Sequence, residues 1–235
     1  GFIDLAMFIM QYDDMMEFTF GQWGGSNKPL GGVGFKSVNV GKTQISGIEI
    51  SLSGQGKIND NVTINILAGY TYMNPISLSP NESYAYNIQW GGDTIAEYTY
   101  NNSSSDSTVL KYRYQHIAKI DAEIVYKKLS IGTSFRYNDF MKNIDWIFTS
   151  DLINEGPWDL DGDGIKEFEG IPGINTAREK FKGGDFIIDI RAGYQINKNI
   201  RLGVIINNLL NREYMSRPAN MMPQRTFAMQ LSMKI

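Results

Sequence analysis

The sequence has no cysteine and a single histidine, His116. Without thiols there is no disulfide, no thiolate metal centre and no cysteine nucleophile. One imidazole is poor material for a metal site or a general base, and it supplies no Ser/His/Asp set. No run of about 18 apolar residues occurs, so no segment reads as a membrane-crossing helix. A basic excess is missing too. The 22 Lys and Arg stand against 25 Asp and Glu, net −3, which argues against nucleic acid as a partner. No glycine-rich phosphate loop lies between a strand and a helix. These absences leave little catalytic chemistry, and we expect no enzyme.

What the sequence has in quantity is alternation. In the last fifty residues Phe186, Ile188, Ile190, Ala192 and Tyr194 fall on one face, with Asp185, Asp189, Arg191 and Gln195 on the other. Ile200, Leu202, Val204 and Ile206 repeat the pattern, as do Phe227, Met229, Leu231, Met233 and Ile235. A period of two is the signature of a strand. Further strands are expected at 2–20, 36–54, 62–72, about 109–126 and 129–137, eight in all. Between them short turns (54–61, 127–128, 197–199) alternate with long polar stretches (21–35, 74–108, 142–183, 211–223).

Strict alternation of long and short connections needs a cause that distinguishes the two ends of a sheet. A transmembrane barrel supplies one, with short turns on one side and long loops on the other. The mean hydropathy of −0.27 is no objection, because barrel strands show lipid only every second residue. Val62, Ile64, Ile66, Ala68, Tyr70 and Tyr72 make an uncharged face, and tyrosines near strand ends fit interfacial girdles. The opposite faces carry Lys119, Asp121, Glu123, Arg136, Asp189 and Arg191, too many charges for a dry sandwich core. The expected fold is therefore an all-β, antiparallel transmembrane barrel. The alternative is a soluble β-sandwich with one exposed polar face per sheet.

Three segments resemble TonB-dependent outer-membrane receptors. Asn39-Val40-Gly41 followed by Ile45-Ser46-Gly47-Ile48-Glu49-Ile50 is similar to a barrel strand of that family. Asn207-Asn208-Leu209-Leu210-Asn211-Arg212-Glu213-Tyr214 resembles its segment before the last strand. Pro223-Gln224-Arg225-Thr226-Phe227 and the alternating end resemble its final strand, although Ile235 stands where an aromatic is more usual. The style of Tyr214, Pro218, Met221, Met222 and Pro223 is similar to receptors from the Bacteroidetes.

The resemblance implies that residues 1–235 are the C-terminal part of a larger barrel of roughly 22 strands. The plug domain and energy-coupling box are not in this sequence, so the rest is expected on a separate chain or in a longer protein. It further implies residence in the bacterial outer membrane, with the long loops outside the cell. The implied function is import of a scarce, bulky ligand such as a siderophore, cobalamin, glycan or peptide. Implied partners are outer-membrane lipid, the remaining barrel and plug, the TonB complex through the plug, and a SusD-like surface lipoprotein. A non-transporting structural or adhesive barrel, and a soluble calcium-binding sandwich, are the competing functions.

One constellation suggests a metal. Asp159, Asp161 and Asp163 are followed by Gly164, Ile165 and Glu167. Calcium takes six to eight oxygens, and close carboxylates on a glycine-bent loop supply them, with the Ile165 carbonyl as a further ligand. The expected role is to stiffen a long loop. The plain alternative is an acidic turn without metal. Trp90, Trp146 and Trp158 fall in long loops, where they can stack on a ligand or simply pack the loops together.

Overall fold

A computed structural model describes residues 1–23, 32–88, 94–154, 164, 173–217 and 220–234. Eight strands form one sheet: β1 (Phe2–Tyr12), β4 (Thr43–Asn59), β5 (Val62–Ser77), β8 (His116–Tyr126), β9 (Leu129–Asn138), β10 (Asp185–Gln195), β11 (Ile200–Asn207) and β14 (Thr226–Met233). They stand side by side in chain order, each antiparallel to its neighbours. Three short hairpin turns mark one end of the sheet. The four long connections rise from the other end. They contain the hairpins β2–β3 (Met16–Gln22, Val33–Asn39), β6–β7 (Ser83–Ile88, Thr94–Thr99) and β12–β13 (Met215–Arg217, Asn220–Met221). The helices α1 (Asp151–Asn154) and α2 (Ile174–Lys180) also lie there.

The eight expected strands are present, with corrected ends. The first stops at Tyr12, and 16–22 turns away to pair with 33–39. The expected 36–54 strand straddles a real break, because Val33–Asn39 belongs to that hairpin while β4 starts at Thr43. The sheet portion of the fourth strand begins at His116. Periodicity reports extended backbone and is blind to which sheet a strand joins, hence these errors. Gly41, inside the first family-like segment, sits at the break with φ +82°. A side chain there would collide with Ser79 and Glu82, and one at Gly47 would collide with the Phe8 ring.

Register turns the alternating strands into two continuous surfaces. Ile3, Leu52, Ala68, Ile120, Phe135 and Ile188 lie opposite one another in one row. Another row joins Ile64, Ile124, Ile131, Ala192, Val204 and Met229. The tyrosines border this apolar band, with Tyr70 and Tyr137 toward the long loops and Tyr126 and Tyr194 toward the short turns. Eight residue steps along β8 lead from Ala118, opposite Tyr137, to Tyr126. At about 3.3 Å per residue that is about 26 Å along the strand, the scale of a lipid-facing band.

Burial excludes the sandwich. Among the described residues the thoroughly buried apolar side chains, Pro75 and Ile187 apart, belong to the long connections: Val40, Tyr100, Leu110 and Ile144 are examples. Sheet residues such as Ile3 (71%) and Met229 (77%) are open. A soluble domain would bury the sheet and expose the loops. Here the order is inverted, the pattern of a transmembrane barrel wall.

Candidate functional site

The charged face of the sheet is a cross-strand network. Arg191 forks onto Asp121 with Nη1 at 2.6 Å and Nη2 at 2.7 Å, and its Nε reaches Glu123 at 3.5 Å. Ser134 donates to the same Asp121. Next along, Arg136 donates to Asp189 at 3.0 Å, and Asp189 also accepts from the Asn208 backbone N–H at 2.8 Å. These pairs are partly exposed, so they are a polar, wettable wall more than a source of stability.

The second family-like segment has a visible task. Asn208 adopts φ +50°, its Oδ1 accepts from the Arg212 N–H, and its Nδ2 donates to the Arg212 carbonyl, both at 2.8 Å. Asn211 accepts from the Arg225 N–H at 2.8 Å. The two amides hold the last long loop at both its ends. Asn is suited to this, because it tolerates left-handed backbone and carries donor and acceptor together.

Above the sheet the first three long connections meet in a buried polar knot that sequence reasoning missed. Lys111 Nζ lies within 2.8 Å of both Thr19 Oγ1 and Ser103 Oγ, and it donates to Asp145. Asp145 also accepts from Thr19, Tyr112 and the Phe20 N–H. Beside it Arg113 binds Glu17 at 2.7 Å. Burial pushes Lys111 below its ordinary pKa, with Asp145 pulling it back up. Burial likewise raises Tyr112, and the Asp145 charge adds to that. Nothing in a one-sequence reading brings positions 19, 111 and 145 together.

A cavity of about 540 Å³ opens between α2, the β12–β13 hairpin and the loop ends of β8–β10. Tyr114, Phe140, Phe181, Tyr214, Met215 and Met221 give it an apolar lining, with Arg178 and Arg217 at its wall. The Tyr114 hydroxyl donates to the Ser216 carbonyl at 3.2 Å, tying the last long connection across the strand tops.

The expected metal loop falls elsewhere. Asp159, Asp161, Asp163, Ile165 and Glu167 lie outside the described residues, as do Trp90 and Trp158. Trp146 opens a 3-10 turn (Trp146–Thr149) directly after Asp145, and its backbone N–H bonds the Ser103 carbonyl at 2.9 Å. It is half-buried in the braced loops and does not line the cavity. His116 shares a 2.7 Å hydrogen bond with the Tyr70 hydroxyl, beside Tyr72 on the uncharged face.

A one-sheet barrel wall with one uncharged face, one charged face and braced loops defines a section of a transmembrane-type β-barrel. The chain belongs to the TonB-dependent receptor-like β-barrel family, whose model matches residues 1–209. No curated protein matches it. Among solved structures it is similar to the ferric-catecholate import receptor Fiu of E. coli K12, at 19% identity and TM-score 0.54, covering 98% of this chain and 25% of that one. The copper transporter OprC aligns at 14% identity and TM-score 0.56, covering 98% and 29%. FpvA of P. aeruginosa, bound to a pyoverdine, aligns at 14% and 0.50, covering 98% and 24%. These likenesses concern the fold. The chain spans about a quarter of each relative's length.

Proposed function

We propose that this chain is the C-terminal barrel section of a TonB-dependent importer in a bacterial outer membrane. The supporting observation is the register: an uncharged face runs unbroken across eight strands while charges line the other. The remaining barrel strands and a plug complete the receptor, on the same or another chain. The long connections face outside the cell, and the TonB complex acts through the plug. The cargo belongs to the scarce, bulky class of siderophores, cobalamin, glycans or peptides. The receptor works by binding and gating, not by bond chemistry. A SusD-like lipoprotein partner and a Bacteroidetes-type origin rest on the sequence resemblance alone.

Two further readings rest on residue spacing. Asp159, Asp161, Asp163, Ile165 and Glu167 hold a structural Ca²⁺ that stiffens the third long loop. Trp90 and Trp158 are loop residues available for ligand stacking, whereas Trp146 serves packing.

The test is uptake in cells expressing the complete receptor. Cargo accumulation should require both this section and an energised inner membrane. A protein that fractionates with the outer membrane but supports no energy-dependent uptake would be a structural or adhesive barrel. One that purifies from the aqueous phase without detergent would not be a barrel at all.

A further inference from the structure

The cavity beneath the last two long connections has a chemistry that narrows its ligand. Its volume, about 540 Å³, lies within the range of small-molecule sites, about 300–1,000 Å³. Neither Asn nor Gln lines it, and Thr176 is its one aliphatic hydroxyl among the described residues. Its other polar side chains are charged or phenolic. The rings of Phe140, Phe181 and Tyr214 suit an apolar body.

The charges in the wall are unevenly compensated. Asp185 is engaged by Arg212 at 3.2 Å, and Asp139 accepts the Phe140 backbone N–H at 2.6 Å. Arg178 lies over the Phe140 ring at 4.6 Å and donates to the Lys142 carbonyl at 3.0 Å. Burial lowers its pKa, and the charge of Glu179 pulls it part of the way back. Lys180 sits 5.0 Å from the Phe181 ring centre. Arg217 faces them from β12. Among the described residues none of these three cations is in a salt bridge. Asp139 and Glu213 are the two lining carboxylates that, among the described residues, are likewise in no salt bridge, against three such cations.

We propose that this cavity binds an amphipathic organic anion, its apolar body against the rings and its acidic group met by Arg178 and Arg217. The inference rests on the import-receptor reading, since it names the class of molecule the receptor captures. Arginine suits the role because its planar fork pairs with carboxylate while its other face stays on a ring.

The test compares naphthalene-2-carboxylate with naphthalene-2-carboxamide, probes of one shape that differ in charge. Binding is read by ligand-observed NMR on the complete detergent-purified receptor. The carboxylate should bind about fivefold more tightly, the scale of one partly exposed charge-assisted contact. Arg178→Gln with Arg217→Gln should erase that margin, while Phe181→Ala should weaken both probes. Heat-modified gel mobility checks that each variant remains a folded barrel, and Arg217→Gln alone, on an exposed hairpin, should already reduce the margin. Equal binding of the two probes, or a margin that survives both arginine changes, would overturn the proposal. Energy-dependent uptake is scored separately. Uptake without the charge margin removes only the ligand class, and the margin without uptake removes only the import reading.

Discussion

Lys111 Nζ sits 2.5 Å from Asp145 Oδ1, and the two side chains are 1% and 0% exposed. They come from different long connections, and Thr19 from a third bonds both. Removing either charge strands the other in a dry site. Lys111→Met should therefore destabilise the loop layer by about 3–5 kcal/mol, and Lys111→Met with Asp145→Leu should recover much of that. Hydrogen exchange would show it: protection lost around 15–20, 100–112 and 143–147, with the sheet strands unchanged. Loss spread equally through the sheet would contradict a local brace.

Glu17 gives the same layer an unusual pH dependence. Burial raises its carboxyl above the ordinary 4.5; Arg113 and Lys111 pull it down, Asp145 pushes it up, and Arg217 pulls it down. The folded state thus keeps a proton that the unfolded chain has released. Its contribution is fully present below about pH 4.5 and fades as pH rises through the folded value. Exchange protection at 15–20, corrected for intrinsic rates, should fall as pH rises above about 4.5, and Glu17→Gln should flatten the slope. Protection that rises with pH would reverse the sign and refute the account.

The two faces of β8 should respond oppositely to charge. Ile120→Arg puts a guanidinium near the middle of the uncharged band and should cost about 2–4 kcal/mol. Lys119→Gln, one residue away on the polar wall, should change stability by less than about 1 kcal/mol. Urea unfolding of the receptor in lipid vesicles measures both. Equal costs would mean that lipid does not meet the Ile120 face.

If calcium sits at Asp159, Asp161 and Asp163, chelation should raise proteolytic cleavage within 150–170, and Asp161→Asn should do so without chelator. Identical cleavage patterns with and without chelator would leave the acidic run a plain turn.

The sheet was legible because a transmembrane barrel wall follows a strict code. Every second residue of Val62, Ile64, Ile66 and Ala68 must be apolar, and the code repeats in each partner strand. The wall charges Lys119 to Arg191 were readable for the same reason. Strand ends were less so, since β1 is apolar on both faces and Met16–Gln22 reads as its continuation, yet pairs within a loop. The knot and the cavity were invisible. Thr19, Lys111 and Asp145 are far apart in sequence and ordinary in type, and only the folded loops make them neighbours.

Strands β1 and β14 each pair on one side only. Every second residue of the eleven in β1 and of the eight in β14 thus turns bare peptide groups to the sheet's margins. In hydrocarbon each unmet N–H or C=O costs several kcal/mol, so such margins cannot persist there. Completion of the ring is consequently a threshold event. A receptor short of one strand is left with the same two open seams as a receptor short of several. Deletions at either seam should accordingly produce abrupt loss of assembled protein, with no graded series between intact and absent.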